Sequence, residues 1–190
     1  MNRLLVVLLI ISKANILSAQ ADTTYFYEQG LKAIGQFDIK GKEHGLWTNF
    51  YLTDTIQSKG KYNHGIPTGF WANYDSLGRK INEGSYEDGL KTGVWKEWDY
   101  FRKEYRESGF KRDTIHGKTA WIHFDGYKLV EGEFEMGVQN GTWKWYYPSG
   151  KIKSQGIFVN GKEDGRHIWF NENGEIEAYA DYLNGEMIKK

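Results

Sequence analysis

The chain has no cysteine in its 190 residues. Disulfides, thiolate catalysis, cysteine-type zinc sites and an N-terminal lipidated cysteine are therefore excluded. Net charge is also missing: 25 Lys and Arg balance 25 Asp and Glu. A protein that binds nucleic acid by neutralising phosphates normally carries a clear basic excess, so that class is disfavoured. No Gly-x-Ser-x-Gly elbow and no phosphate-binding Gly-x-x-x-x-Gly-Lys-Ser/Thr loop occurs, which removes the usual nucleophile and phosphate-loop signatures. Proline occurs only twice, against 23 Gly and 31 aromatics (8 Trp, 13 Tyr and 10 Phe). Many glycines and aromatics with few prolines predict numerous short strands joined by tight turns.

The longest apolar run, Leu4 to Ile11, is too short to span a bilayer, which takes about 20 such residues. Arg3 precedes it, and Ala19-Gln20-Ala21 closes the segment as a small-x-small site. Together they read as a secretory signal peptide over residues 1–21, cleaved after Ala19 or Ala21. An uncleaved signal anchor is the competing reading, opposed by Lys13 and Asn15, which interrupt the run early. Export to the periplasm or the extracellular space is the expectation. The mature chain loses Arg3 and Lys13, leaving 23 basic and 25 acidic residues. Without disulfides it must be held by packing.

The remainder is periodic. Gly45, Gly69, Gly93, Gly117, Gly141 and Gly165 stand 24 residues apart. A second series, Gly41, Gly65, Gly89, Asp113, Gly137, Gly161 and Gly185, has the same period and one exception, Asp113. Two residues after the first series come Trp47, Trp71, Trp95, Thr119, Trp143 and His167. Five residues after come Phe50, Tyr74, Trp98, Ile122, Tyr146 and Phe170. The aromatics Tyr62, Tyr86, Phe110, Phe134, Phe158 and Tyr182 follow 17 residues after. The organisation expected is an irregular lead-in over 22–37 and a repeat domain over 38–190, with six units and a truncated seventh.

Each unit reads as two strands. In the fifth, the aromatic run from Gly141 to Tyr147 is followed by the turn Pro148-Ser149-Gly150, a second strand over Ile152 to Val159, and a turn that Asn160-Gly161 opens and Gly165 closes. Links this short make neighbours antiparallel, because parallel pairing needs a crossover of about a dozen residues or more. The fold class expected is all-β: an elongated, curled antiparallel meander of about twelve strands built from six hairpins. Alternation puts Gly132 and Phe134 on one face and Glu131, Glu133 and Glu135 on the other, which must be wet. The position two before the recurring aromatic is always small (Gly60, Gly84, Ser108, Gly132, Gly156, Ala180), leaving room for a neighbour's ring to lie over the backbone.

The pattern Gly141-x-Trp143-x-x-Tyr146-Tyr147-x-x-Gly150-Lys151, then Gly156-x-Phe158-x-Asn160-Gly161-Lys162-x-x-Gly165, resembles the variant MORN repeat, whose proteins are often grouped as the YwqK-type antitoxin family. The resemblance runs from Gly35 to Glu186. It implies a sheet of hairpins that binds proteins or membranes without catalysis; the antitoxin label implies a toxin partner, whereas an exported chain is not where such antitoxins are expected. The fourth unit departs from the pattern at Asp113 and Thr119, and the sheet is expected to bend or loosen there.

Among chemical candidates, the five histidines lack any zinc-motif spacing, and His44 and His116 occupy a position held elsewhere by polar turn residues. Glu131, Glu133 and Glu135 read as a solvated stripe rather than a glycosidase pair. Trp121, Trp145 and Trp169, four residues after the first-series glycines, carry the binding candidacy, since surplus aromatics on a sheet face mark interaction surfaces. Packing is the competing reading, because Thr119 and His167 lack the earlier Trp and a two-residue shift keeps the ring on the same face. Only the fifth unit has both, Trp143 and Trp145. The expectation is a non-enzymatic, cofactor-free scaffold that binds an unidentified protein partner. A carbohydrate-binding role for the C-terminal aromatics, or toxin neutralisation, is the alternative. Association with an anionic membrane surface is disfavoured by the neutral charge.

Overall fold

The computed structural model describes residues 23–26 and 32–188. The signal-peptide reading over 1–21 lies outside them. All sixteen regular elements among the described residues are strands. The chain divides into two compact units, Met1–Gly89 and Leu90–Lys190.

The first unit holds β1 (Thr23–Phe26), β2 (Lys32–Phe37), β3 (Glu43–Phe50), β4 (Ile56–Asn63), β5 (Ile66–Tyr74) and β6 (Lys80–Glu87). Each pairs antiparallel with the next in sequence. The second holds β7 (Leu90–Asp99), β8 (Glu104–Lys111), β9 (Thr114–His123), β10 (Lys128–Glu135), β11 (Val138–Tyr146), β12 (Ile152–Val159), β13 (Lys162–Glu163), β14 (Gly165–Phe170), β15 (Ile176–Leu183) and β16 (Glu186–Met187). These too form an antiparallel meander, with β13 and β14 both pairing with β12. The hairpin architecture is the one the spacing predicts. The strand count differs from twelve because one repeat strand is split into β13 and β14 and because β1, β2 and β16 lie outside the six pairs.

The expectation of an irregular lead-in does not describe what β1 and β2 do. Gly35 lies beneath the indole of Trp47, and Phe37 meets the same ring edge-on at 5.0 Å. They stand where Gly60 and Tyr62 stand one repeat later, but 25 residues earlier rather than 24. The longer loop between Phe37 and Glu43 hides the match from a fixed-period search.

The two glycine series do different jobs. From Gly65 onward the second series fills two-residue turns in which both residues have positive φ, as at Asn160 (50°) and Gly161 (80°), the geometry that matches the twist of a hairpin. Asp113 keeps this conformation with φ 65°, beside Arg112 at 50°. The first series does not close turns. Gly141 sits inside β11 with φ 71°, where the pairing of β10 with β11 steps from Glu131↔Lys144 to Glu133↔Asn140. Two extra residues on β11 make this a bulge. The same step occurs at Gly45, Gly69, Gly117 and Gly165.

The bulge aims the next indole over the preceding strand. Trp71 covers Gly60 and Trp143 covers Gly132, and a Cβ on either glycine would overlap the ring. Trp47, Trp71, Trp95 and Trp143 are the large buried side chains, each at most 5 % exposed. Burying one indole removes about 150–250 Å² from water, roughly 4–6 kcal/mol of transfer free energy as an upper bound. The rings meet edge-on, with Tyr62 4.8 Å from Trp71 and Phe134 5.2 Å from Trp143. Nε1 of Trp47 donates to the Gln36 carbonyl (3.0 Å), and Nε1 of Trp71 to that of Lys61 (3.1 Å).

The fourth repeat does not lose this contact; it exchanges it. Ser108 and Thr119 take the places of the glycine and the Trp. Both are 2 % exposed, and their hydroxyls are bonded at 2.7 Å. Thr119 also donates to the Glu107 carbonyl. A hydroxyl where a Cβ would exclude an indole is matched by a residue small enough to sit over it.

Candidate functional site

Four residues after each first-series glycine, the chain returns to the tryptophan face. Each residue there has a cross-strand partner. In the first three repeats these are polar pairs: Asn49 with Ser58 (2.8 Å), Asn73 with Asn82 (2.7 Å), and Glu97 ion-paired with Arg106. From β9 onward the position changes character. Trp121 stands opposite Val130, Trp145 opposite Ser154 and Trp169 opposite Ala178. Through the other neighbour, Val130 also faces Trp145 and Ser154 also faces Trp169. The column therefore reads Trp, Val, Trp, Ser, Trp, Ala across successive strands, alternating large and small.

The three candidate tryptophans are brought together with the inner ring column. Trp121 lies 6.1 Å from Trp143, and Trp143 lies 6.5 Å from Trp145. Trp145 stacks on His167 (5.4 Å, 24°), which stacks on Trp169 (4.2 Å, 14°). His167 is 7 % exposed and covers Gly156, as Trp143 covers Gly132. All three candidates are half-buried. Arg106 caps Trp121, its guanidinium carbon 5.7 Å from the ring centre. A depression of about 310 Å³ opens between Trp121 and Trp145, with Val130 and Trp143 beneath and Arg102, Glu104 and Gln139 around it.

Residues 139–160 and 163–184 match the family described as the MORN repeat variant. Those two stretches, within residues 139–184, are variant MORN repeats. No curated protein matches it. The two MORN matches run over β11, β12 and the strands that follow, where Trp145, His167 and Trp169 lie. The hairpins before them keep the same period and the same bulge.

Two buried nitrogens in this part of the MORN array have no hydrogen-bond partner: Trp143 Nε1 and His167 Nε2. The contrast with Trp47 and Trp71 is informative. Over Gly35 and Gly60 the nearest indole atoms are Cδ2, Cε2 and Cγ; over Gly132 they are Cδ2, Cε2 and Cε3. The Trp143 ring is shifted toward its six-membered half, and its N–H finds no backbone carbonyl. Nδ1 of His167 is 2.7 Å from the Glu163 carboxylate. That carboxylate accepts, so Nδ1 is the donor of this bond, and Nε2 faces no partner.

The reverse face of β7 to β11 is ionic. A trough of about 530 Å³ includes Glu107, Lys118, Glu131, Glu133 and Lys144. Glu131 is not part of an open stripe. It is half-buried, takes bonds from Lys128 (2.5 Å) and from the Tyr146 hydroxyl, and its carboxyl is held below the usual range by those two donors. Burial first, and then the bond to Glu131, pushes the Tyr146 hydroxyl above the usual phenol range. Glu133 and Glu135 are exposed. Glu107 is paired with Lys96 at 2.7 Å. Among the described residues, no three His, Asp or Glu side chains are grouped so as to share a metal ion.

In the first unit, His44 is not a solvated turn residue. Its ring lies 4.7 Å from that of His64, whose Nδ1 bonds Asp38 at 2.6 Å. Sequence reasoning did not single out Arg102, Glu104, Gln139 or Val130. Val130 had a signal: it and its counterparts Ser154 and Ala178 are the small partners in the column. Arg102 and Glu104 come from the β7–β8 connection and the start of β8, outside the repeated positions.

Proposed function

We propose that this chain is an exported, non-enzymatic MORN-variant scaffold that binds a protein partner through the tryptophan face of β9 to β15. The observation that carries the reading is the change at one repeat position from hydrogen-bonded polar pairs at Asn49 and Asn73 to Trp121, Trp145 and Trp169 against small partners. A repeat position needed only for packing has no reason to change chemistry from one set of repeats to the next. Half-buried indoles with an open depression between them have the composition of an interface hot spot. The signal-like N-terminus supports export, and the repeat's family supports a scaffold role.

The test is affinity capture from envelope and secreted fractions of the native culture, with the chain from Asp22 as bait. One stoichiometric protein is expected on the wild-type bait. It should be lost when Trp121, Trp145 and Trp169 are replaced together by Asn, the residue that β3 and β5 carry in this column. A second reading, glycan binding, is favoured by the mix of indoles with Arg102, Glu104 and Gln139 around the depression. It predicts retention on cell-wall polysaccharide and no stoichiometric protein.

A further inference from the structure

The partner's chemistry can be read from the spacing of the column. Trp121, Trp145 and Trp169 stand on β9, β11 and β14, which alternate with β10 and β12. Neighbouring strands lie about 4.7–4.9 Å apart, so successive indoles repeat at about 9.4–9.8 Å. A polyproline II helix rises about 3.1 Å per residue with three residues per turn, a repeat of about 9.3 Å. A segment in that conformation, lying across the strands, presents a side chain to each indole once per turn.

Two further observations fit the same occupant. A sheet face offers a peptide no backbone ladder, so a bound segment must keep its own carbonyls solvated or find donors among side chains. Polyproline II has no internal hydrogen bonds, and its carbonyls are free acceptors. Trp143, 2 % exposed and one wall of the depression, has an Nε1 donor with no partner. The second slot, between Trp145 and Trp169, is filled by His167. In the slot between Trp121 and Trp145 the equivalent residue, Trp143, lies tilted and farther off, 6.1 Å and 6.5 Å from its two neighbours, and the depression over Val130 is the open one.

We infer that the tryptophan face takes an extended, proline-rich segment of the partner, with one proline ring seated between Trp121 and Trp145 over Val130. The inference rests on the protein-binding reading above. The chain does not supply such a segment itself: its two prolines, Pro67 and Pro148, are far apart in sequence.

Decaproline titrated into the full chain, followed by indole fluorescence and calorimetry, tests it. Saturable binding is expected, weakened at least about tenfold by Val130→Phe, which fills the slot while leaving every indole in place. Trp145→Ala should weaken it similarly, and Asn73→Ala in the first unit should leave it within about twofold. Far-ultraviolet circular dichroism and the thermal midpoint establish that each variant is folded; Val130→Ile, with a smaller added volume, replaces Val130→Phe if that variant unfolds. Absence of saturable binding, or binding unchanged in both slot variants, overturns the inference. So does binding of cello- or chito-oligosaccharide in place of decaproline with the same slot dependence. A captured protein that needs Trp145 but is not displaced by decaproline would sink the inference and leave the protein-binding reading standing. Loss of neither partner nor peptide on Trp145→Ala would sink both.

Discussion

At Gly132 the absent side chain is what the position supplies. A methyl there would overlap Trp143, whereas nothing lies within 4 Å of a Cβ built at Gly141, whose constraint is its positive φ of 71°. Gly132→Ala should cost about 1–3 kcal/mol by overpacking, and Gly141→Ala about 1–2 kcal/mol by backbone strain. The two costs differ in kind, and a partner change separates them. Ser108 over Thr119 shows which pair replaces glycine and Trp. Gly132→Ser with Trp143→Thr should therefore be less destabilised than the sum of the singles by at least about 1 kcal/mol, measured by urea unfolding in a double-mutant cycle. Additive costs would show that the Ser108–Thr119 contact is not a substitute. Asp38 makes a titratable claim at the same scale. The bond from His64 and then the Lys42 amide hold its carboxyl down to about 2, against 3.8 ordinarily. The depressed value means the contribution is present above pH 3.8 and is lost as pH falls through 2. Urea midpoints at pH 5 and pH 2.5 should drop less in Asp38→Asn than in the wild type; equal drops would contradict this.

Among the elements, the hairpins were legible because the turn glycines recur at a fixed period and alternation assigns the faces. What the sequence did not reveal was the role of each glycine series. A glycine just after a turn and a glycine in a bulge look alike in a string; only the pairing steps at Glu131/Glu133 distinguish them. The β2 strand was hidden by one inserted residue, and the polar rim of the depression by belonging partly to a connection. The position of Trp121, Trp145 and Trp169 on one face was legible from the period of two. Their stacking through His167 was not, because a histidine in a tryptophan register gives no sign of its ring plane. Asp113 tests the turn account. Its side chain accepts from the Lys91 amide at 2.7 Å while its backbone holds φ 65°. Asp113→Gly loses a bond of about 1 kcal/mol and relieves a left-handed residue by about the same. Stability by urea unfolding should change by no more than about 0.5 kcal/mol, and a gain above that would show the side-chain bond to be idle.

Within each compact unit every hairpin touches its neighbours in sequence, so stability behaves as a sum over repeats and their interfaces. Gly141→Val should lower hydrogen-exchange protection in β10 to β12 and their neighbours, and leave β2 to β5 unchanged. Uniform loss across both compact units would contradict a repeat-wise sum. Against that even scaffold, the chemical change at one repeat position, from Asn49 and Asn73 to Trp121, Trp145 and Trp169, is the feature that needs a function. The measurement that tests it most directly is partner capture by wild-type bait against the bait carrying Trp121→Asn, Trp145→Asn and Trp169→Asn, with circular dichroism confirming that both are folded. The account predicts a single protein retained by the first and absent from the second. Equal retention by both baits would contradict it and return the three tryptophans to packing.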